Sequence, residues 1–270
     1  MHPKLFDLGP ISIYSYGLLL VSAYLIALQL GVARGRAHGL NGDRMMDLGI
    51  ASIVSALVGA KLLLFVVDFE HFTTSPAELW TLVRSGGVFY GGLMLAVVVA
   101  LWHMRRHAMP VWTTCDAFAP GIALAQAVGR IGCLLAGCCY GHATNLPWGI
   151  TFTNPLAATN VGTPLGVSLH PTQVYESAAT LIIFGFLLLF ERKGNVFPGR
   201  TFWTYLLLYP MTRFFIEFFR GDPRGTVFDV LSTSQFVSAL LVPLSIVMLV
   251  VLARSNGPTT GQNPARAHAA

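Results

Sequence analysis

Charged side chains are scarce in this 270-residue chain. Asp, Glu, Lys and Arg together make up 11% of it, whereas in a typical soluble domain they make up about a quarter. The ranges 8–33 and 230–253 contain none of the four. A helix needs about 20 mostly apolar residues to cross a bilayer, and both ranges are long enough. The composition therefore excludes an ordinary soluble domain and predicts an all-α, polytopic membrane protein.

Other signatures are missing as well. No internal repeat marks the two similar halves from which many transporters are built. The last apolar segment has no lysine that could hold retinal as a Schiff base. The first apolar segment has no usual signal-peptide cleavage site, and its leading residues include Asp7 and Pro10. We therefore interpret it as a permanent membrane span.

Cysteine is also rare, with four residues, of which three fall at Cys133, Cys138 and Cys139. A second cluster of Cys or His at short spacing, as zinc sites usually have, does not accompany them. Adjacent Cys138 and Cys139 have poor geometry for a disulfide with each other. We expect small buried residues on a close-packed helix here, and neither a metal nor a cofactor.

The distribution of Lys and Arg predicts the topology. Seven candidate spans cover 12–33, 46–67, 86–102, 114–138, 173–190, 200–219 and 231–252. Of the fourteen Lys and Arg residues that we count in the loops, ten lie on one side and four on the other. The positive-inside rule then places the N-terminus outside and the C-terminus in the cytoplasm. The net charge of +5 is thus a topology signal rather than a sign of nucleic-acid binding. We predict a membrane domain over 1–254 and a disordered cytoplasmic tail over 255–270.

The stretch 129–141 is the most unusual part of the fourth span, because it carries Arg130 at membrane depth. A buried arginine is costly there and usually faces a polar cavity with a function. The alternative is a packing helix whose arginine is neutralised by a structural partner. Asp116 lies fourteen residues earlier, so the two side chains point roughly the same way on a helix. Small residues recur every fourth position on one helical face, which predicts close approach of a second backbone: Gly121, Ala125, Gly129, Cys133, Gly137 and Gly141.

Two further segments carry charge into the membrane. After an uncharged polar loop, 140–172, the fifth span begins near Gln173 and soon reaches Glu176. Capping and anchoring of this helix is an alternative to a functional role. The sixth span places Arg213, Glu217 and Arg220 on one face, with Arg213 and Glu217 spaced for an ion pair. With Arg224, arginine exceeds carboxylate there, which predicts an anionic guest such as phosphate.

Together these segments resemble the prolipoprotein diacylglyceryl transferase family. The resemblance runs from His2-Pro3 to Asp222-Pro223 and is strongest at Tyr16-Gly17, 86–92, 116–141, 170–176 and 213–220. It implies a bacterial cytoplasmic (inner) membrane enzyme with seven spans. Such an enzyme transfers the diacylglyceryl group of phosphatidylglycerol to the lipobox cysteine of a prolipoprotein signal peptide. A thioether forms and glycerol phosphate is released.

The resemblance also implies roles for individual residues. The essential arginines of the family match Arg130 and Arg213, its first-span tyrosine matches Tyr16, and its acid after the second arginine matches Glu217. The signature glycines match Gly129, Gly132, Gly137 and Gly141. Our candidate substrate-binding set is Tyr16, Gly129, Arg130, Gln173, Glu176, Tyr209, Glu217 and Arg220.

The chain departs from the family where the base is expected. Tyr90 stands in place of the usual histidine, and Cys133 and Cys138 replace Asn and Glu. A phenol is mostly protonated at neutral pH, so Tyr90 needs help from nearby arginines to act as a base. His170 has a more suitable intrinsic pKa and is the second candidate. Because of these replacements, a non-catalytic or transporting relative that binds anionic phospholipid stays open as an alternative.

Overall fold

The computed structural model describes residues 2–9, 11–73, 87–192, 197–222, 225–227 and 230–255. The predicted tail beyond residue 255 lies outside these ranges, as do residues 74–86 of the segment before the third predicted span. Within the described ranges the helices are α1 (Ser15–Ala37), α2 (Gly42–Val67), α3 (Phe69–Thr73), α4 (Phe89–Arg106), α5 (Val111–Ala136), α6 (Pro155–Val161), α7 (Thr172–Arg192), α8 (Arg200–Glu217) and α9 (Thr233–Ser255). The strands are β1 (Lys4–Leu8), β2 (Ile11–Tyr14), β3 (Ile150–Thr151), β4 (Ser168–Leu169), β5 (Thr226–Val227) and β6 (Leu231–Ser232).

The helices confirm a mostly helical membrane protein. Five of them, α1, α2, α5, α7 and α9, are long and apolar enough to cross a membrane. Helices α4 and α8, of 18 residues each, also coincide with predicted spans but are less apolar. The first ends in Arg105 and Arg106, and the second carries Arg200, Arg213 and Glu217. The chain is thus polytopic, with five clear spans among the residues described.

The start of the first span differs from the prediction. We expected it to begin at residue 12, but Ile11–Tyr14 pairs antiparallel with Lys4–Leu8 and the helix begins at Ser15. Gly9, at φ 60°, allows the turn between the strands. Asp7 accepts bonds from Lys4 and from the Ser12 hydroxyl, and these hold the pKa of its carboxyl below the usual value. Together with two other two-stranded pairs, this hairpin adds small β elements to the predicted all-α class.

Helix α5 is the central helix of the bundle, because it packs against α1, α7 and α8. The small-residue face of α5 allows close approach of α1 at Gly121, where a Cβ would lie 2.9 Å from the Ala27 carbonyl oxygen. The predicted face extended to Gly137 and Gly141, but α5 ends at Ala136, so these two residues lie beyond the helix. Gly137, at φ 88°, caps the helix by donating its N–H to the Cys133 carbonyl at 2.9 Å.

Asp116 has a structural role that the sequence did not indicate. Its fully buried carboxylate accepts the backbone N–H groups of Gly199 at 2.6 Å and Phe202 at 2.8 Å. These are unpaired donors at the start of α8, where a negative charge is favourable. Asp116 of α5 therefore caps α8 and fixes its position, rather than serving as the partner of Arg130.

The glycines in the 86–92 segment allow α4 to pack tightly on α2. Gly91 and Gly59 face each other, and a Cβ on either would lie 2.4 Å from the other's carbonyl oxygen. Tyr90, Gly91 and Gly92 are helical, and Gly87 and Val88 are the described residues that precede the helix. Close helix contact explains these glycines within the described part of the segment.

Candidate functional site

Glu176 is the centre of a buried polar network near the start of α7, with a side chain that is 2% exposed. Its Oε1 atom lies 2.8 Å from Nη2 of Arg130 on α5. The same oxygen accepts the Tyr209 hydroxyl of α8 at 3.0 Å. On its other side, Oε2 lies 3.9 Å from Nη1 of Arg220. One carboxylate thus joins α5, α7 and the end of α8.

The second part of the network lies on α8 and on the residues that follow this helix. Nη2 of Arg213 pairs with Oε2 of Glu217 at 2.5 Å, which confirms the ion pair predicted from their spacing. The same nitrogen of Arg213 donates to the Ser234 hydroxyl of α9 at 3.1 Å. Arg220 forms a two-pronged pair with Asp222, with Nε at 2.9 Å and Nη2 at 2.8 Å. Arg213 and Arg220 are both almost fully buried, so their charges are held in a low-dielectric environment.

Carboxylates from other segments pair with the arginines of this site. The predicted excess of arginine included Arg224, which lies outside the described ranges. Among the described residues, Glu176 from α7 pairs with Arg130, and Asp222 pairs with Arg220. Among the described residues each of the three arginines has a carboxylate within 3 Å. Binding of an anion must therefore use arginine N–H groups that these pairs leave over.

Three buried polar atoms of the site have no hydrogen-bond partner in the described ranges. One is a donor, Nη1 of Arg213, and two are acceptors, Oε1 of Gln173 and Oε2 of Glu176. A buried polar atom without a partner costs about 1–3 kcal/mol. A donor and two acceptors in this position can pair with a guest that has both an anionic group and hydrogen-bond donors.

Tyr209 connects the two halves of the site. Its hydroxyl lies close enough to both Arg130 and Arg213 to interact with their charges. Gly129 precedes Arg130, and a Cβ there would meet nothing within 4 Å. Tyr16, at the start of α1, packs over Gly132, where a Cβ would lie 3.4 Å from the tyrosine ring. Seven of the predicted residues, Arg130, Glu176, Tyr209, Arg213, Glu217, Arg220 and Gly129, therefore lie in or beside one network.

Gln173 supports the backbone of this site. Its side-chain Nε2 donates to the Cys138 carbonyl at 2.7 Å. The neighbouring Thr172 hydroxyl donates to the Cys139 carbonyl at 2.6 Å. The start of α7 therefore holds the turn that follows α5, which is the anchoring role that the sequence left as an alternative for this motif.

His170 is connected to the network by backbone contacts of Gly141. Gly141 donates its N–H to the His170 carbonyl at 3.0 Å and forms an isolated β-bridge with Arg220. A Cβ on Gly141 would lie 2.6 Å from the carbonyl oxygens of His170 and Phe219, which explains the glycine. The His170 ring is oriented by the Tyr175 hydroxyl, 3.2 Å from Nδ1, and rests on the Phe219 ring.

Tyr90 is not joined to the network by the contacts of the described residues. It lies half-buried in the first turn of α4, next to the Phe89 ring, and α4 packs mainly on α2. Its role as a base stays a prediction.

Sequence reasoning missed Asp222 and Ser234 as members of the site. The pairing of Asp222 with Arg220 could have been predicted, because the two residues are only two positions apart. The contact of Ser234 with Arg213 could not have been predicted from spacing, because only the packing of α9 on α8 brings the two residues together.

A sequence model of the prolipoprotein diacylglyceryl transferase family matches residues 3–251. The chain belongs to this family. It is 38% identical to the phosphatidylglycerol–prolipoprotein diacylglyceryl transferase of Clostridium tetani, over 91% of this chain and 96% of the relative. It is 36% identical to such a transferase, numbered 2, of Clostridium perfringens, over 86% and 88%. A transferase of the same name from Bacillus cereus is 30% identical, over 91% and 90%.

Membership agrees with the resemblance inferred from the motifs, and the chain is a transferase of the bacterial membrane. The Arg130–Glu176 pair joins two of the segments in which that resemblance is strongest, 116–141 and 170–176. These two segments lie far apart in the chain and meet in this network.

Proposed function

We propose that this protein transfers the diacylglyceryl group of phosphatidylglycerol to the lipobox cysteine thiol of prolipoproteins. The sulfur attacks the glyceryl carbon, a C–S thioether bond forms and the C–O bond to phosphate breaks. Glycerol phosphate leaves with the electron pair, and the thiol proton passes to a base. The observation that carries the proposal is the buried network of Arg130, Arg213 and Arg220 in a chain of this family.

The leaving phosphate needs stabilisation of its growing negative charge. Arg130, with a side chain 21% exposed, is the more accessible of the two matched arginines, and Arg213 offers a buried Nη1 donor without a partner among the described residues. A single donor aimed at developing charge is typically worth about 3–4 kcal/mol in the barrier. Both arginines can supply such donors while their carboxylate pairs hold them in place.

The head group of phosphatidylglycerol matches the remaining polar atoms. Its phosphate requires donors, and its terminal glycerol carries hydroxyls that require acceptors. Oε1 of Gln173 and Oε2 of Glu176 are buried acceptors without a hydrogen-bond partner among the described residues. The donor on Arg213 and these two acceptors therefore match the phosphate and the glycerol hydroxyls of phosphatidylglycerol, while the preference for this lipid over one with an ammonium head group rests on the family.

Two residues are candidates for the base that accepts the thiol proton. Tyr90 occupies the family's usual histidine position, and we propose it as a positional donor or an arginine-assisted base. His170 is the second candidate, supported by its place one β-bridge from Arg220 and by the Tyr175 hydroxyl at 3.2 Å, which orients the ring. No metal or other cofactor is needed for this displacement, since the arginines supply the charge stabilisation.

The proposed topology has seven spans in the bacterial cytoplasmic membrane, with α4 and α8 added to the five apolar helices. The N-terminus is outside and the C-terminus is cytoplasmic. In this arrangement the end of α5, the start of α7 and the end of α8 share the outer side. In this proposal, a prolipoprotein signal peptide presents its cysteine on that same side, near the network.

A transfer assay tests the proposal. The purified protein in lipid receives phosphatidylglycerol and a lipobox peptide, and mass spectrometry measures the thioether product. A peptide with Ser in place of the lipobox Cys is the control, since it lacks the thiol nucleophile. We expect product with phosphatidylglycerol and the Cys peptide only. Binding of phosphatidylglycerol without any product would favour the non-catalytic alternative, in which Tyr90, Cys133 and Cys138 have removed the chemistry.

A further inference from the structure

Three of the four cysteines meet at the end of α5. The Sγ atoms of Cys133, Cys138 and Cys139 all lie within 4.8 Å of one another, and none of them is in a disulfide. In a tetrahedral zinc site with bonds of about 2.3 Å, the sulfur atoms are about 3.8 Å apart. Shifts of about 1 Å in the side chains would therefore bring all three sulfurs to ligand positions.

The backbone of this turn is built to hold the thiols together. Cys139 has φ 63°, a left-handed conformation that only a few per cent of residues other than glycine adopt. The two carbonyl groups of Cys138 and Cys139 are fixed by Gln173 and Thr172, both of which are fully buried. Unfavourable backbone conformations that the surroundings hold in place are concentrated at functional sites. Packing of small residues alone would not require such a conformation at Cys139.

The charges around the cluster favour a thiolate site. Nη1 of Arg130 lies 4.0 Å from Sγ of Cys133, and Arg220 interacts with Cys139. Three thiolates around a divalent cation carry a net charge of −1, which these guanidinium groups would offset. Cys133 is buried and the other two are half-buried, so the cluster is partly shielded from its surroundings.

We propose that Cys133, Cys138 and Cys139 form a binding site for a thiophilic divalent cation of the zinc type. On binding, each thiol releases its proton to solvent and its sulfur forms one bond to the ion. Water completes the tetrahedron. The sequence alone argued against a metal here, because no second cluster of Cys or His accompanies the three cysteines. In the structure, the end of α5 and the left-handed conformation of Cys139 bring three ligands together without a second cluster.

Cobalt is a direct probe of such a site, because thiolate ligands give Co²⁺ an intense sulfur-to-metal charge-transfer band. The full-length protein is reduced in detergent, the reductant is removed without oxygen, and Co²⁺ and then Zn²⁺ are titrated. We expect the band to saturate at a single ion per chain and to disappear when Zn²⁺ displaces Co²⁺. Cys133→Ser, Cys138→Ser and Cys139→Ser should each lose the band. Cys115→Ser is the matched control and should keep it, since Cys115 lies eighteen residues before Cys133, about 27 Å along the same helix.

A second measurement needs no variant and so does not depend on folding of the serine proteins. Zn²⁺ is added to the unmodified protein before alkylation, and the labelled cysteines are identified by mass spectrometry. Protection of the three clustered thiols, with no change at Cys115, supports the site. The proposal is overturned if the unmodified protein gives no charge-transfer band, or if the triple serine variant gives the same band. It is also overturned if the reduced protein forms a disulfide in the cluster instead of binding the ion.

Discussion

Arg130 and Glu176 form an ion pair of 2.8 Å that joins α5 to α7. The carboxylate is 2% exposed and the guanidinium side chain 21% exposed, so water screens the pair only on one side. The Tyr209 hydroxyl shares the same carboxylate oxygen at 3.0 Å. This pair holds the proposed phosphate-binding arginine in position, and its loss should affect stability as well as catalysis.

Glu176→Gln should destabilise the protein, because it leaves the Arg130 charge without its carboxylate. Breaking one side of a buried pair typically costs about 3–5 kcal/mol, and the partial exposure of Arg130 favours the lower end. Tyr209→Phe should cost about 1 kcal/mol, since it removes one hydrogen bond. Thermal unfolding in detergent measures both.

A double variant is the control for this prediction. In Arg130→Met with Glu176→Gln no unpaired charge remains, so part of the stability lost in Glu176→Gln should return. If the losses of the two single variants simply add, the pair is not coupled in the way described.

Gly141→Ala should lower stability and transfer activity together. The new Cβ would lie 2.6 Å from two carbonyl oxygens, and backbone atoms cannot move aside as a flexible side chain can. We expect a loss of about 1–3 kcal/mol, as for other overpacked sites. Gly185→Ala on α7 is the matched control, because its Cβ would meet nothing within 4 Å. A normal thermal midpoint for Gly141→Ala would contradict the described packing.

The base is tested by Tyr90→Phe, Tyr90→His and His170→Ala in the transfer assay across pH. If Tyr90 supplies or accepts the proton, Tyr90→Phe loses activity, and Tyr90→His regains it with a pH profile shifted toward the lower pKa of imidazole. Full activity of Tyr90→Phe at every pH would leave Tyr90 as a packing residue. Loss of activity in His170→Ala alone, with an unchanged thermal midpoint, would assign the proton to His170.

Topology is tested by reporters placed at the end of the chain and in the 140–172 segment. A C-terminal reporter that is active only in the cytoplasm should be active, because ten of the fourteen loop Lys and Arg residues then lie inside. A fusion in the 140–172 segment to a reporter that works only outside should also be active. Activity of an outside-only reporter at the C-terminus would reverse the arrangement.

The sequence predicted the parts of the site that depend on local spacing. The Arg213–Glu217 pair follows from a separation of four residues on a helix, and the helices follow from long uncharged runs. Partners from distant segments were not predictable in this way. Glu176 meets Arg130 and Asp116 caps α8 only because three helices pack together. The first hairpin was missed for a different reason, since its second strand, Ile11–Tyr14, continues without a charge into α1 and hides the boundary at Ser15.

In the proposed mechanism, Arg130 and Arg213 act on the phosphate of the lipid head group. The most direct measurement is thioether formation by Arg130→Ala, Arg130→Lys, Arg213→Ala and Arg213→Lys in lipid containing phosphatidylglycerol, with a thermal midpoint for each protein. We expect both alanine variants to lose transfer and lysine to rescue it poorly, because lysine lacks the planar fork of donors. Near-normal transfer by either alanine variant would show that its arginine does not act on the phosphate.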